Sequence, residues 1–293
     1  MKCVEARVPL HLSIVWVPVV RGDPLHDGSL GAGLMLEPPV RALACNAPGG
    51  YHGPKIPPAL RCLRSLGWNN EFIRVETPYP PGYGLAVSGA VTLAACLAYA
   101  GLRAISSIRA ADEAHVAEVL EGTGLGDVTA LYTAWGLEVR VEPGAPGVGG
   151  RAEAHPVEEL WAVAVPVRSV DTRVLLREMW SRVTQDDAIH AYEAVRREPS
   201  LESLARAARE FTMRATPPPE AARRAIAECS SRAHLVVYKK GSLVIIVDEP
   251  HNTIECLEKI GLRAILLRLT NTRPFTRWID LRENVKQCSH TTC

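Results

Sequence analysis

Apolar and polar positions in the second half of the chain follow two periods, one typical of strands and one typical of helices. Short β-branched runs predict strands, and stretches with apolar residues every three or four positions predict amphipathic helices. In chain order the predicted elements are a strand over 160–167, helices over 171–183, 186–209 and 219–230, strands over 234–238 and 242–247, a helix over 252–262 and a last strand over 264–269. This order predicts a ferredoxin-like α+β layout with extra helices after its first strand.

Three local signals sharpen these elements. The triplet "KKG" between the two β-branched runs predicts a hairpin, in which Gly241 supplies a positive φ. Asn252 is a candidate N-cap for the helix that follows, and Gly261 is a candidate stop signal for the same helix.

The first half of the chain has a different composition, since it is rich in Gly, Pro and short apolar runs. Residues 142–156, "EPGAPGVGGRAEAHP", have the composition of a linker or an exposed turn. We therefore predict two domains, 1–150 and 151–293, with no internal repeat and no low-complexity tract.

A long uncharged stretch, residues 84–102, raises the question of a membrane span. Much of it is Gly, Ala, Ser and Thr, and the glycines at its start oppose a helix there, so the helix is predicted to begin near Val87. The remainder, about fourteen residues, is shorter than the roughly 20 that a span requires. A buried core helix is the better interpretation, and no membrane partner is expected.

Composition narrows the classes of function. The 33 basic and 32 acidic residues give a net charge of +1, so nothing favours a nucleic-acid partner. The apolar run near the N-terminus is flanked by charges and broken by prolines, which does not predict a signal peptide.

The eight cysteines lie far apart without a CxxC pair, which argues against structural zinc and predicts reduced thiols in a cytoplasmic protein. The one close pair is Cys288 and Cys293, with His290 between them. We favour an unpaired tail there over a disulfide or an adventitious metal site.

The glycines before the core helix have two explanations. The segment "PPGYGLAVSGAV" either makes a tight turn or lets an anion approach the backbone N–H groups at the helix N-terminus, with Ser88 in the first helical turn. It is neither a Walker A loop, which needs Lys before Ser or Thr, nor a dinucleotide fingerprint, which needs a third glycine. Spacing alone leaves both explanations open.

Two carboxylates follow further along the chain. Asp127 ends the segment "GTGLGD", where glycines leave room for a substrate, and Glu118 lies on the preceding predicted helix. Alone, these residues would be solvated carboxylates around a capped turn. Together with a phosphate loop they supply what phosphoryl transfer needs: an oxygen ligand for Mg²⁺ and a carboxylate that orients or deprotonates the attacking hydroxyl.

The glycine-rich segment resembles the phosphate-binding loop of the GHMP kinase superfamily. The segments "VPLHLSIVWVPV", "DPLHDGSLGAGLML", "AHVAEV", "TGLGDV" and "PGAPG" are similar, in order, to the archaeal pantoate kinase family over most of residues 8–150, and "VPVRSVDTRVLL" extends the similarity beyond them. The resemblance implies ATP-dependent phosphorylation of pantoate to 4-phosphopantoate in coenzyme A biosynthesis. It also implies a two-domain α+β fold, with a left-handed βαβ unit in the first domain and a ferredoxin-like second domain.

The resemblance also assigns roles. It implies that ATP phosphates bind at Gly82, Gly84, Ser88 and Gly89. Ser88 would lie near Mg²⁺, Glu118 is the implied second oxygen ligand of the ion or orients its water, and Asp127 would act on the 4-hydroxyl of pantoate. A homodimer is a further implication.

The substrate carboxylate needs a cation or several donors, and Arg140 is the first candidate because its guanidinium can bind a carboxylate at two points. His11 and Ser29 are further candidates, although a buried structural histidine and a turn hydroxyl explain them equally well. Ala86 stands where such loops usually carry glycine, and the C-terminal glycine-rich motif of many GHMP kinases is missing. Lys239 or Lys240 could approach the nucleotide from the hairpin instead.

Two other functions remain. One is a kinase of the same chemistry that acts on mevalonate, homoserine or a sugar. The other is a nucleotide-binding regulator that has lost catalysis, which Ala86 and the missing motif would explain.

Overall fold

The computed structural model of the chain describes residues 1–170 and 178–280. Most of the helix predicted over 171–183, and the Cys288–Cys293 pair, lie outside the described residues. Everything below refers to the described part.

The first half of the chain is a mixed layer of strands and helices. Its elements are β1 (Lys2–Val19), β2 (Gly28–Pro48), β3 (Tyr51–His52), α1 (Pro57–Ser65), β4 (Glu71–Glu76), α2 (Val87–Leu102), α3 (Ser107–Glu121), α4 (Asp127–Thr133), β5 (Leu137–Glu142), a 3-10 turn (Pro146–Val148) and β6 (Arg151–His155).

The second half continues the same sheet. Its elements are β7 (Trp161–Pro166), α5 (Gln185–Arg197), α6 (Leu201–Ala207) with a π-helical turn (Ala208–Thr212) and a last helical turn (Met213–Ala215), α7 (Glu220–Cys229), β8 (Leu235–Lys239), β9 (Ser242–Val247), α8 (His251–Lys259), β10 (Ile265–Leu269) and β11 (Phe275–Asp280).

Strand β2 organises the sheet because it is long enough to have several partners. One edge pairs along its length with β1, and the other edge pairs in turn with β5, β10 and β4. The start of β2 therefore lies between β1 and β5, and both of these strands carry polar side chains into the interior there.

The predicted ferredoxin-like layout is confirmed. Strands β10, β7, β9 and β8 lie in that spatial order and every neighbouring pair is antiparallel. The β8–β9 hairpin has positive φ at both Lys240 (46°) and Gly241 (88°), as a two-residue type I′ turn requires.

Helix α2 is confirmed as a core helix that begins at Val87. Thirteen of its sixteen residues are buried, and it packs on β1 and β2 on one side and on α1 and α3 on the other. A helix that is apolar on all faces is expected only where it is surrounded. Among the described residues, no helix combines the length and apolar character that a bilayer crossing needs.

Several expectations about elements are wrong in detail. The single helix predicted over 186–209 is two helices, because Pro199 interrupts it and Ser200 caps α6 with a capping box. Helix α8 begins at His251 and Pro250 is its N-cap residue, so Asn252 does not cap it. Strand β10 is not the last strand, since β11 follows and pairs with β1.

The expectation of reduced cysteines is also wrong. Three disulfides join β1 to β2, α1 to α2, and α7 to α8: Cys3–Cys45, Cys62–Cys96 and Cys229–Cys256. The partners are 42, 34 and 27 residues apart and meet only because the fold packs their elements together. Spacing along the sequence therefore carried no sign of them.

The segment 142–156 is only in part the predicted linker or turn. It turns around Pro146–Val148 and then continues as β6, which pairs with β5. One sheet runs through both halves of the chain, and the division into domains 1–150 and 151–293 stays a prediction.

Candidate active site

A cavity of about 250 Å³ lies where six parts of the chain meet. Its walls come from the second half of β1, the start of β2, the glycine-rich loop and first turn of α2, the loop between α3 and α4, strand β5 and the β8–β9 hairpin. The predicted residues Ser29, Gly82, Gly84, Ser88, Asp127 and Arg140 all line it. Residues that are up to 111 positions apart in this set thus share one space, which is the size of a small-molecule site.

The glycine-rich loop enters α2 through left-handed backbone. Gly82 has φ 87° and Gly84 has φ 81°, and a Cβ on Gly84 would lie 2.6 Å from the Lys239 carbonyl oxygen. Ala86, where a glycine was expected, is also left-handed at φ 49° and directly precedes the helix. That conformation costs an alanine about 1–2 kcal/mol. The backbone at Ala86 therefore follows the path that a glycine would take, although the residue is alanine.

Ser88 and Glu118 are joined directly. Ser88 Oγ donates to Glu118 Oε1 at 2.7 Å, and Thr92 Oγ1 donates to the same oxygen at 3.0 Å. Thr123 Oγ1 donates to Glu118 Oε2 at 2.7 Å. Burial raises the pKa of Glu118, and these three hydroxyls oppose the rise. Glu118 therefore lies buried directly behind Ser88, where it fixes the orientation of the serine hydroxyl.

Asp127 is the first residue of α4, and its side chain is one quarter exposed. Burial alone would raise the pKa of Asp127, but the hydrogen bond from His11 and the positive charges of His11, Lys239 and Arg140 outweigh it. The pKa of Asp127 therefore lies far below its usual range, and the carboxylate is ionised at neutral pH.

The two carboxylates converge on Gly124. A Cβ on Gly124 would lie 3.3 Å from both Asp127 Oδ2 and Glu118 Oε2. Gly89, the fourth predicted loop residue, faces the same region, since its Cβ would lie 3.4 Å from Cβ of Asp127. The absence of side chains at both glycines keeps the space beside the carboxylates open.

His11 lies behind Asp127 and not on the cavity wall. Its ring is fully buried, with Nδ1 3.0 Å from Asp127 Oδ1 and Nε2 2.8 Å from Glu138 Oε1. A Cβ on Gly33 would lie 2.6 Å from Nε2, so a glycine on β2 makes room for the ring. With a carboxylate on each side, both ring nitrogens donate when the imidazole is protonated.

Arg140 is tied to the same network. Its Nη1 donates to Glu138 Oε1 at 2.8 Å, and Nη2 donates to Ser13 Oγ and to the Val15 carbonyl oxygen, each at 3.1 Å. Nε has no hydrogen-bond partner within the described part of the chain and lies beside Gly126, which also faces Ser29. Most of the guanidinium is thus already engaged by protein groups.

Lys239 reaches the cavity from the hairpin. Its Nζ lies 4.7 Å from the centroid of the Trp16 ring, which packs edge-on against Phe211. Burial lowers the pKa of Lys239 to about 7, against the opposing charge of Asp127. Both lysines that the sequence offered as nucleotide contacts, Lys239 and Lys240, line the cavity.

Some of this site was not visible in the sequence. Glu138, Thr92 and Thr123 were missed, although two carried a usable signal: Thr92 lies one helical turn after Ser88, and Glu138 alternates with Arg140 on one face of β5. No sequence signal marked Trp16 as part of the site, because an aromatic residue in an apolar strand is normally predicted to belong to the hydrophobic core.

A Mg²⁺ ion fits the donor set, which is made of oxygen atoms. The gap at Gly124, which a Cβ would fill, is flanked by oxygens of Asp127 and Glu118, and the Ser88 hydroxyl lies next to Glu118. Within the described residues, no group of three or more His, Cys, Asp or Glu could hold a metal alone. Magnesium sites of this kind use one or two protein oxygens together with substrate phosphates.

Comparison with proteins of known sequence supports the resemblance seen in the motifs. No protein-family model matches the chain. A pantoate kinase of Thermococcus kodakarensis is 27% identical over 308 aligned residues, covering 94% of this chain and 99% of the relative. A pantoate kinase of Methanocaldococcus jannaschii is 23% identical, covering 70% of this chain and 78% of the relative.

Solved structures agree on the fold. A "phosphotransferase related to CoA biosynthesis pathway" superposes with a TM-score of 0.78 at 24% identity, covering 94% of this chain and 98% of the other. A mevalonate kinase superposes at 0.65 with 12% identity, covering 92% and 99%. A putative homoserine kinase from Listeria monocytogenes superposes at 0.59 with 13% identity, covering 94% and 99%. The fold class predicted from the sequence is thereby confirmed.

Proposed function

We propose that this chain is an ATP-dependent pantoate kinase, which forms 4-phosphopantoate for coenzyme A biosynthesis. One observation carries the proposal: an ionised carboxylate, Asp127, faces the glycine-rich loop and Ser88 across a single cavity. The similarity to archaeal pantoate kinases over nearly the whole chain supports the choice of acceptor.

The glycine-rich loop is the site for the nucleotide phosphates. Gly82 and Gly84 expose their backbone to the cavity, and the N-terminus of α2 directs N–H groups at it. A helix N-terminus preceded by glycines favours phosphate through both its unsatisfied donors and its dipole. Ser88 and Glu118 would hold Mg²⁺ there, and the bound ion would neutralise charge on the phosphates.

Asp127 is the group that handles the acceptor. In the reaction, the 4-hydroxyl oxygen forms a bond to the γ-phosphorus while the bond from that phosphorus to the β–γ bridging oxygen breaks, and ADP leaves. The hydroxyl is too weak an acid to ionise beforehand, so its proton passes to Asp127 as the new bond forms. The low pKa of Asp127 keeps it ionised, so the carboxylate can orient the hydroxyl and accept its proton only as the bond to phosphorus forms.

The rest of the cavity suits pantoate. Trp16, Pro18, Val87 and Leu125 supply apolar wall for the two methyl groups of the acceptor. Ser29 and Arg140 lie beside Gly126 and are the proposed contacts of the pantoate carboxylate. Because Glu138 already occupies part of the guanidinium, we expect Arg140 to contribute through its remaining donor and its charge.

His11 has a different role from the substrate contact that the sequence suggested. Its ring holds Asp127 from behind, so we propose that it positions the carboxylate and does not touch pantoate. A cytoplasmic location and a homodimer are proposed on the resemblance alone, and size-exclusion chromatography with light scattering tests the dimer.

The acceptor is tested with the purified chain, Mg²⁺ and ATP in a coupled ADP-release assay on pantoate, mevalonate, homoserine and galactose. We expect turnover on pantoate, with a product whose ³¹P signal couples to the C4 protons. Turnover on another acceptor alone would replace pantoate. Turnover on galactose alone, which has no carboxylate, would also remove the proposed role of Arg140. Tight ATP binding without turnover on any acceptor would favour a binding protein.

A further inference from the structure

Lys239 is a cavity-lining cation to which the proposed mechanism gives no role. It is the last residue of β8, and the two-residue turn of Lys240 and Gly241 follows it. The end of this hairpin packs against the glycine-rich loop, and both line the cavity. Its ammonium group could either stabilise the fold or bind one of the reactants.

The hairpin is fastened to the glycine-rich loop, so Lys239 has a fixed place relative to the phosphates. The Lys239 carbonyl oxygen lies where a Cβ on Gly84 would meet it at 2.6 Å. Ser242 Oγ donates to the Tyr83 carbonyl oxygen and is hydrogen-bonded to the Tyr79 hydroxyl at 2.7 Å. These contacts hold the backbone of Lys239 against the loop that would carry the nucleotide.

The turn itself is locked from its other side. The Gly241 carbonyl oxygen accepts from the backbone N–H of Val167 at 2.8 Å and of Arg168 at 3.1 Å. A Cβ on Gly241 would lie 1.6 Å from the Arg168 carbonyl oxygen, so only glycine fits. The hairpin therefore cannot swing away without breaking the packing beneath it.

The charge of Lys239 is not balanced by a direct partner. In the described part of the chain no carboxylate forms an ion pair with it; its Nζ rests on the Trp16 ring, and Asp127 acts on it only through space. Arg140 and Lys240 add further positive charge nearby. A desolvated cation without a counter-ion is costly, and a bound anion removes that cost.

We propose that the Lys239 ammonium binds the anionic oxygens of the phosphoryl group that is transferred. This inference rests on the proposed kinase function. The placement of the hairpin supports phosphate over the acceptor carboxylate, because the backbone of Lys239 contacts Gly84 of the phosphate loop, whereas Arg140 and Ser29 flank Gly126. A fixed cation beside the transferred group stabilises the charge that spreads over its oxygens in the transition state.

The test compares Lys239→Met with wild type and with Lys259→Met, an exposed lysine on α8. Loss of one preorganised charge partner typically lowers kcat by about 100-fold to 1,000-fold, and we expect that fall with the KM for pantoate within about threefold of wild type. Calorimetry with Mg²⁺ and either AMP-PNP or ADP should show weaker AMP-PNP binding by about tenfold and unchanged ADP binding.

Two results would overturn the proposal. One is a kcat and an AMP-PNP affinity that both stay within about threefold of wild type. The other is a raised KM for pantoate with kcat retained, which would assign Lys239 to the carboxylate. Lys239→Gln, which keeps a polar end, must repeat the nucleotide result if Lys239→Met lowers the melting temperature. The comparison of AMP-PNP and ADP binding needs no acceptor. It therefore tests the role of Lys239 even if pantoate proves not to be the substrate.

Discussion

The imidazole of His11 bridges two carboxylates, with Nδ1 3.0 Å from Asp127 and Nε2 2.8 Å from Glu138. The first strand of the chain thereby fixes the carboxylate that begins α4, 116 residues later. Glu138 is in turn held by Arg140 at 2.8 Å. Asp127, the proposed proton acceptor, is thus the partly exposed end of a buried row of hydrogen-bonded side chains, and its geometry depends on His11 and Glu138, which do not line the cavity.

Replacing the imidazole should disturb catalysis without disturbing nucleotide binding. In His11→Gln one end of the bridge is lost, and a carboxylate misplaced by about 1 Å costs about 100-fold in rate, so kcat should fall by about tenfold to 100-fold. ADP affinity should be unchanged in calorimetry. His26→Gln, an exposed histidine, is the control. A kcat equal to that of wild type would show that Asp127 keeps its place unaided.

Ser88→Ala and Glu118→Gln should alter the response to Mg²⁺. Each removes one oxygen from the pair that would hold the ion, so the Mg²⁺ concentration for half-maximal turnover should rise by about tenfold, the lower end of the range seen when outer partners of metal sites are lost. The measurement is an Mg²⁺ titration at saturating ATP and pantoate, with Ser181→Ala, on an exposed turn, as control. Unshifted titrations in both variants would contradict the assignment.

The pH profile should report Lys239. Burial lowers its pKa to about 7, with Asp127 and Glu138 opposing the shift and Arg140 and Lys240 adding to it. The protonated form is the active one, so kcat/KM for ATP should fall as pH rises through about 7 in the free enzyme. In Lys239→Arg the guanidinium stays charged, and the fall should disappear. An identical profile in that variant would assign the titration to another group.

The Cys229–Cys256 disulfide should contribute to stability and not to catalysis. It joins α7 to α8 and closes a loop of 27 residues, for which chain entropy predicts about 3.5 kcal/mol. The double variant Cys229→Ser/Cys256→Ser should lose about that much free energy of unfolding in guanidinium titrations, while kcat at 25 °C stays the same. Equal stability of the two proteins would show that the link is redundant.

The sequence predicted those parts of the molecule whose signals are local. The start of α2 at Val87, the β8–β9 hairpin at Gly241 and the antiparallel ferredoxin-like order all followed from periodicity and glycine placement. Gly82, Gly84, Ser88 and Asp127 line the cavity, and the glycines of their two segments predicted room for a ligand beside them.

The rest depends on contacts between distant elements. Glu138 behind His11, the Ser88 and Thr92 hydroxyls on Glu118 and the three disulfides arise where strands and helices from different parts of the chain meet, and no single window contains both partners. Strand β11 was missed for another reason: its side chains are mostly exposed at the sheet edge, so no apolar alternation marks it.

The most direct test is turnover of pantoate by wild type and by Asp127→Asn, followed by ADP release with Mg²⁺ and ATP. The asparagine keeps the size of the side chain and removes the proton acceptor, so we expect kcat to fall by about 100-fold to 10,000-fold while ATP affinity stays within about threefold. Wild-type turnover on pantoate that persists unchanged in Asp127→Asn would contradict the account, because the proton would then leave by a route that does not involve this carboxylate.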